Sequence, residues 1–137
     1  MEPKNIKCAD FLSEAAKTPA LQFDFIFTNP PWGKKIQKEQ KEQYGRIFGA
    51  GRALDTSALF FFACIRSLKE GGHLGLLLPD AFFNIAAFED ARLSISKLEL
   101  LRIVDFGKAF KGLMSKAIGM SLLNRGRTKE SPFVIVR

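Results

Sequence analysis

The 137-residue sequence contains one histidine and two cysteines, which excludes several kinds of site. His73 lies in a Gly-Gly-His segment that is typical of a turn leading into a strand. Cys8 and Cys64 lie in apolar contexts without CxxC spacing, so we expect two buried thiols and no disulfide. Without clustered histidines or cysteines, neither a metal site nor a Ser/His/Asp triad is expected.

The sequence also lacks a long apolar run and a signal peptide. No stretch approaches the roughly 18 to 20 apolar residues that a membrane span needs. We therefore expect a cytoplasmic protein without membrane contact. A hydrophobic content of 47% with 14 phenylalanines is ample for the core of one domain, or of part of a larger one.

Basic residues are in excess, and much of the excess is local. The net charge is +7, and residues 34–52 contain six Lys or Arg against two Glu. A basic segment beside a site indicates a polyanionic substrate such as nucleic acid, because neutralised phosphates release counterions. A solvated surface with ordinary lysines is an equally good interpretation of the charges alone.

The segment Asn29-Pro30-Pro31-Trp32 directly follows the apolar run 23–28. Two prolines fix φ and lack donors, so a strand that reaches them must end in a stiff turn. An amide side chain, a prolyl carbonyl and an aromatic face would then lie at the carboxyl end of a strand, where open α/β sheets bind ligands. Such a corner could hold a flat, amine-bearing ring, although an ordinary turn explains the motif equally well.

The pattern along the chain predicts an α/β fold with crossover helices and a final hairpin. Asp55 or Thr56 is the predicted cap of an apolar helix that ends near Gly71, and residues 33–54 are interpreted as a functional loop. Asp24 is interpreted as a structural residue and Asp105 is assigned no chemistry. Asn84 could line the site or contact DNA, although a turn hydrogen bond is the favoured interpretation. Strands are predicted at 5–10, 23–28 (covered on both faces), 73–78, 101–106, 117–123 and 132–136, and helices at 11–17, 55–69 and 86–98.

Four motifs together resemble the adenine-specific DNA methyltransferases of restriction-modification systems, in particular the TaqI-like group. The motifs are Ala9-Asp10-Phe11-Leu12, residues 23–33 with Asn29-Pro30-Pro31-Trp32-Gly33, Leu77-Leu78-Pro79, and residues 105–110. Their order and spacing cover nearly the whole chain.

The resemblance implies a role for each matching residue. Asn29 and the carbonyl of Pro30 would accept hydrogen bonds from the amino group of a flipped adenine, while Trp32 and Phe110 cover its two faces. Asp10 would hold the adenine of S-adenosylmethionine, and Asn29 would also border this cofactor. The remaining implied site residues are Pro31 in the catalytic corner and Gly33, Lys34 and Lys35 on the DNA side.

The chain departs from the family pattern before Asp10. The glycine-containing loop after the first strand and the acidic residue after the second strand are missing, so residues 1–137 are interpreted as one partial Rossmann-like catalytic domain that starts at its third strand. No separate target-recognition domain is expected. The strand at 23–28 would then be a bare apolar edge, which predicts pairing with a complementary fragment, self-association, or rearrangement of the amino-terminal segment onto the edge.

The resemblance therefore implies double-stranded DNA as the partner and a chain that is inactive alone. A glutamine- or ribosomal-RNA-methylating enzyme with the same Asn-Pro-Pro-aromatic motif is an alternative. A non-catalytic nucleic-acid-binding remnant is another.

Overall fold

The described part of the chain forms a mixed sheet of five strands together with five helices. The computed structural model describes residues 6–17, 19–110, 112, 114–128, 132 and 134–137. The strands are β1 (Phe23–Thr28), β2 (Leu68–Pro79), β3 (Leu98–Asp105), β4 (Ala117–Gly126) and β5 (Val134–Val136). The helices are α1 (Phe11–Ala15), α2 (Lys38–Phe48), α3 (Thr56–Ser67), α4 (Ala81–Asn84) and α5 (Glu89–Ser96), with a 3-10 turn at Ala86–Phe88. The predicted α/β class is confirmed.

The strands lie across the sheet in the order β1-β2-β4-β3-β5. β1 is parallel to β2 and β3 is parallel to β5, whereas β4 is antiparallel to both of its neighbours. Parallel neighbours need a long connection, which α2 and α3 provide between β1 and β2. β3 and β4 are consecutive antiparallel neighbours, so the predicted hairpin is confirmed. β1 lies at one edge of the sheet.

The core lies on the face of the sheet that packs against the helices. Alternate residues of β2, namely Leu74, Leu76 and Leu78, are buried there with Phe61 of α3 and Phe82 of α4. The alternation follows from the pleat, which sends successive side chains to opposite faces. All three leucines are at most 3% exposed.

The opposite face of the sheet remains open in the described part of the chain. Phe25 and Phe27 of β1 are 62% and 73% exposed. Phe25 stacks on His73 with ring centroids 5.3 Å apart, and Phe27 lies over Gly75. The expectation that this strand is covered on both faces is therefore wrong. The expectation of an apolar edge strand is confirmed.

Helix α3 is held at both ends by side chains. The carboxylate of Asp55 caps its first turn by accepting from the Ser57 backbone N–H at 2.9 Å and from the Ser57 hydroxyl at 2.7 Å. At the other end, Asn124 Nδ2 donates to the carbonyls of Ile65 and Leu68. The helix ends at Ser67, two residues earlier than predicted, and β2 begins at Leu68, five residues before its predicted start at residue 73. His73 consequently lies within a strand and not in a turn.

Several local expectations are corrected. Residues 6–10 form no strand, whereas Asn5 lies outside the described residues. The predicted loop 33–54 contains α2, because its Lys, Glu and Gln residues favour helix and Gly49, at φ +69°, ends it. The helix predicted at 86–98 begins with the 3-10 turn, ends at Ser96 and is preceded by the unpredicted α4.

Cys64 is buried as expected, but Cys8 is exposed. Among the described residues, no helix is long and apolar enough to cross a membrane.

Candidate functional site

The Asn-Pro-Pro-Trp corner begins where β1 ends and bends toward the carboxyl end of β2. Pro30 is buried, Pro31 and Trp32 are half-buried, and Asn29 is exposed. The indole Nε1 of Trp32 donates to the carbonyl of Leu77 at 3.2 Å. This bond fixes the large aromatic ring against the neighbouring strand, so the corner is rigid at its aromatic end as well as at its prolines.

Trp32 contacts Phe110, although 78 positions separate them in the chain. Their ring centroids are 5.9 Å apart and their planes make an angle of 77°, an edge-to-face arrangement. Phe110 is 39% exposed. A base stacked between two parallel rings needs those rings about 7 Å apart, since carbon atoms pack best at about 3.5–4.0 Å. Phe110 must therefore turn before a base can lie between the two rings.

The segment after the corner carries exposed basic side chains on an anchored backbone. Gly33 adopts φ +65°, which turns the chain away from Trp32. The Thr56 hydroxyl, at the start of α3, donates to the carbonyl of Lys34. Lys34 and Lys35 are exposed and form no ion pair within the described part of the chain.

A cleft of about 490 Å³ brings Asp10 near the corner. Its mixed polar and apolar lining comprises Asp10, Leu12, Ser13, Pro31, Lys34, Lys35, Ile36, Gln37, Gln40, Tyr44, Thr56 and Phe60. Asp10 caps α1 by accepting from the Ser13 N–H at 2.8 Å through one carboxylate oxygen. Burial raises the pKa of Tyr44, and the negative charge of Asp10 adds to that rise. The cleft thus offers a carboxylate acceptor beside proline and aromatic walls.

Asn29 does not line this cleft with Asp10. It lines a second, shallow cavity of about 470 Å³ on the open face of the sheet, together with Phe27, Leu77 and Phe106 among others. The structure therefore brings Asp10, Pro31, Lys34 and Lys35 to one cleft, and Trp32 to Phe110. Asn29 lines neither the cleft nor the aromatic pair, and it joins them only through its place in the corner sequence.

Sequence reasoning missed the part of α3 that faces the site. Phe60 lines the Asp10 cleft and its ring lies 5.6 Å from that of Phe11. In the run Leu59-Phe60-Phe61-Phe62, composition does not distinguish the ring at the cleft from those in the core. The half-burial of Phe60 against the full burial of Phe61 shows the difference only once the helix is placed.

Comparison with solved structures defines the class of the fold. A Listeria monocytogenes protein described as a class I S-adenosylmethionine-dependent methyltransferase superposes with a TM-score of 0.65 at 19% identity, over 89% of this chain and 38% of that one. A chain from a type I restriction-modification system superposes with a TM-score of 0.67 at 21% identity, over 85% and 24%. The fold is that of part of a class I, Rossmann-like methyltransferase domain.

Sequence comparison then gives the family. Residues 4–111 match the model of the Eco57I restriction-modification methylases. The type II methyltransferase M.VspI of Vibrio sp. (strain 343) is 47% identical over 118 residues, which are 86% of this chain and 29% of that protein. The chain belongs to the Eco57I restriction-modification methylase family and spans less than a third of the length of this relative.

Proposed function

We propose that this chain forms the substrate side of an S-adenosylmethionine-dependent DNA adenine-N6 methyltransferase of the TaqI-like group. The observation that carries the proposal is the contact of Trp32 with Phe110 beside the Asn-Pro-Pro corner. Two aromatic rings next to two acceptors suit the capture of a flat base that bears an amine. The bound cofactor would supply the methyl group on a sulfonium.

In this mechanism, the corner positions the amine and makes it a nucleophile. Asn29 Oδ1 and the Pro30 carbonyl oxygen accept hydrogen bonds from its two N–H groups. An amine attached to a purine is a poor nucleophile because its lone pair is delocalised into the ring. Two acceptors favour a pyramidal nitrogen and localise that pair. As the N–CH3 bond forms and the S–CH3 bond breaks, the nitrogen becomes strongly acidic, so it loses one proton to solvent without a strong base. The stiff prolines then contribute mainly by holding the nitrogen in line with the methyl group.

The aromatic pair offsets the cost of taking the base out of the duplex. Extrusion costs a few kcal/mol, and aromatic stacking returns about 1–3 kcal/mol per base. Phe110 must first rotate out of its edge contact with Trp32. The pair thus exchanges a ring–ring contact for two ring–base contacts, and base binding is favoured because the stacked area is larger.

Asp10 and its cleft fit the adenine of the cofactor. One carboxylate oxygen of Asp10 is used by the cap of α1, and the other is available to accept from an exocyclic amine. Phe60 and Pro31 provide the apolar walls that a purine ring needs. Asn29, which would accept from the target amine, is also proposed to border the cofactor.

The basic segment is proposed to contact the DNA backbone. Lys34, Lys35, Lys41 and Arg46 form no ion pair within the described part of the chain, whereas Lys38 lies 3.9 Å from Glu42. Each phosphate contact adds about −0.9 to the slope of log affinity against log salt. Four such contacts predict a slope of roughly −3 to −4.

The isolated chain is proposed to be inactive, as one partial catalytic domain whose β1 edge needs a partner. Phe23, Phe25 and Phe27 are exposed on that strand, and a cleft of about 390 Å³ lies along its helix side. An apolar edge is a template for strand addition. A complementary methyltransferase fragment or a second copy of the chain would cover it.

The test measures methyl transfer to duplex DNA. In this assay, the chain is combined with a protein fragment that comprises the upstream half of a relative. We expect activity on adenine with the wild type, none with the chain alone, and a large loss in Trp32→Ala and Phe110→Ala. Leu93→Ala, an exposed residue of α5, is the matched control. Transfer to release-factor glutamine or ribosomal RNA instead of DNA would refute adenine specificity.

Measurements of DNA binding distinguish the proposed enzyme from the alternative, a non-catalytic nucleic-acid-binding remnant. A steep salt slope that is unchanged in Trp32→Ala and Phe110→Ala indicates a module that contacts phosphates only. Loss of preference for DNA with a mismatched adenine in those variants supports base capture.

A further inference from the structure

The loop that carries Phe110 begins in a turn that a carboxylate defines. Asp105, the last residue of β3, accepts through Oδ1 from the backbone N–H of Gly107 at 2.8 Å. Gly107 adopts φ +60°, and its own carbonyl accepts from the N–H groups of Ala109 and Ala117 at 3.0 and 2.9 Å. The direction in which the chain leaves β3 is therefore fixed at Gly107.

Beyond that turn, the ring of Phe110 packs edge-on against Trp32. The Phe110 ring lies three residues after Gly107, is 39% exposed and touches Trp32 among the aromatic rings of the described residues. Gly112, at φ +82°, is a second position in this loop with a left-handed backbone. The ring is thus placed by the turn at its amino-terminal side and by Trp32 itself.

We propose that Asp105 is a positioning residue that presents Phe110 to Trp32 through the Asp105–Gly107 hydrogen bond. This inference rests on the proposed function of the aromatic pair in base capture. Asp105 acts without touching the substrate, because its carboxylate holds the turn and the turn places the ring. What matters is an acceptor oxygen two residues before the Gly107 N–H, and the negative charge is secondary.

Two variants of Asp105 separate the acceptor from the charge. Asp105→Asn removes the charge but keeps an oxygen at the same distance from the backbone. Asp105→Glu keeps the charge but moves the carboxylate one methylene further out, where it no longer fits a turn of this size. A positioning role predicts that Asn resembles the wild type and that Glu resembles Phe110→Ala, whereas a role through charge predicts the reverse order.

The measurement uses Trp32, which is the single tryptophan of the chain. Its emission maximum, its near-ultraviolet circular dichroism and its quenching by acrylamide report the ring contact in the free protein. Removing the Phe110 ring should lower the population of molecules in which the Trp32 indole is shielded from solvent. The expected decrease is about 2- to 10-fold, which is the factor that one aromatic ring pair contributes to such an equilibrium. Asp105→Glu should reproduce most of this change, and Asp105→Asn should leave the signals close to those of the wild type. Thermal unfolding by far-ultraviolet circular dichroism shows that each variant is folded.

The outcomes are distinct. A wild-type Trp32 signal in Asp105→Glu, or a lost signal in Asp105→Asn, overturns the inference. An unchanged signal in Phe110→Ala overturns it as well, because the pair is then not formed in solution. These results do not depend on DNA, so they stand apart from the proposed function, which fails instead if the reconstituted enzyme does not methylate adenine. Where methylation occurs, Asp105→Glu should weaken binding to duplex with a mismatched adenine by about 3- to 10-fold, as expected for a misplaced stacking ring.

Discussion

Replacing Asp55 by Ala tests how the site-bearing helix α3 is anchored. The Asp55 carboxylate accepts from both the backbone N–H and the hydroxyl of Ser57, and that serine is fully buried. The next residue along, Thr56, holds the carbonyl of Lys34 with its own hydroxyl. Loss of the cap therefore affects both the stability of the helix and the position of the basic loop.

The magnitude follows from two separate losses. Removing an N-cap side chain costs about 0.5–2 kcal/mol. Leaving the buried Ser57 hydroxyl without its acceptor costs about 1–3 kcal/mol more. We therefore expect Asp55→Ala to lower the free energy of unfolding by about 1.5–5 kcal/mol. Asp55→Asn keeps an acceptor oxygen, so its cost should stay below about 1 kcal/mol.

The assay is urea unfolding followed by far-ultraviolet circular dichroism, for the wild type, Asp55→Ala, Ser57→Ala and the double variant. Removing the serine hydroxyl as well leaves no unpaired buried side chain, so the double variant should be less destabilised than the sum of the single variants by at least about 1 kcal/mol. Strictly additive costs would refute the reasoning, since they would mean that the two side chains do not share the bond.

Two further predictions concern titratable groups. Hydrogen bonds from Lys17, and then from Lys7, lower the pKa of Glu14 from 4.5 to about 2. Because the folded pKa is the lower one, these bonds stabilise the fold above the unfolded pKa, and the stabilisation is lost as the pH falls toward 2. The unfolding midpoint of Glu14→Gln should lack this part of the acid dependence, and parallel curves would contradict it. Burial raises the pKa of Cys64 to about 12, whereas Cys8 is exposed. A thiol reagent near about pH 8 should label one cysteine per native chain, Cys8→Ser should abolish that labelling, and rapid labelling of both would contradict the burial.

Strand bounds could be predicted where a contiguous apolar run meets a proline, whereas the strand expected at residues 6–10 does not form. Residues 23–28 were predicted with the correct bounds, since Asn29-Pro30 ends that strand in sequence as in structure. The start of β2 was missed because Gly71-Gly72 suggested a helix end. The helix in fact ends at Ser67, where Asn124 from a strand distant in sequence binds its last carbonyls. Tertiary contacts of this kind leave no local signal.

The candidate site also has features that could be predicted from the sequence and features that could not. The family resemblance implies that Trp32 and Phe110 cover the two faces of one base, and the structure brings the two rings into contact. The closed, edge-to-face geometry was not predictable, because it depends on the Gly107 turn and on the bond from Trp32 to the Leu77 carbonyl. The place of Phe60 at the cleft could not be predicted, because its neighbours in the sequence are equally apolar. The family resemblance thus indicates which residues meet, while their angles depend on backbone atoms elsewhere in the fold.

The open face of the sheet has a consequence for handling the protein in solution. Phe25 and Phe27 offer apolar surface, while a net charge of +7 keeps separate molecules apart. The range of that repulsion falls to about 10 Å at 0.1 M salt and about 3 Å at 1 M. Raising the ionic strength therefore removes the barrier between the exposed phenylalanines of two molecules. High salt, which weakens the proposed phosphate contacts, is therefore also the condition that brings exposed β1 strands together. Dilution and low temperature are the better means of keeping the chain dispersed, because apolar association weakens on cooling.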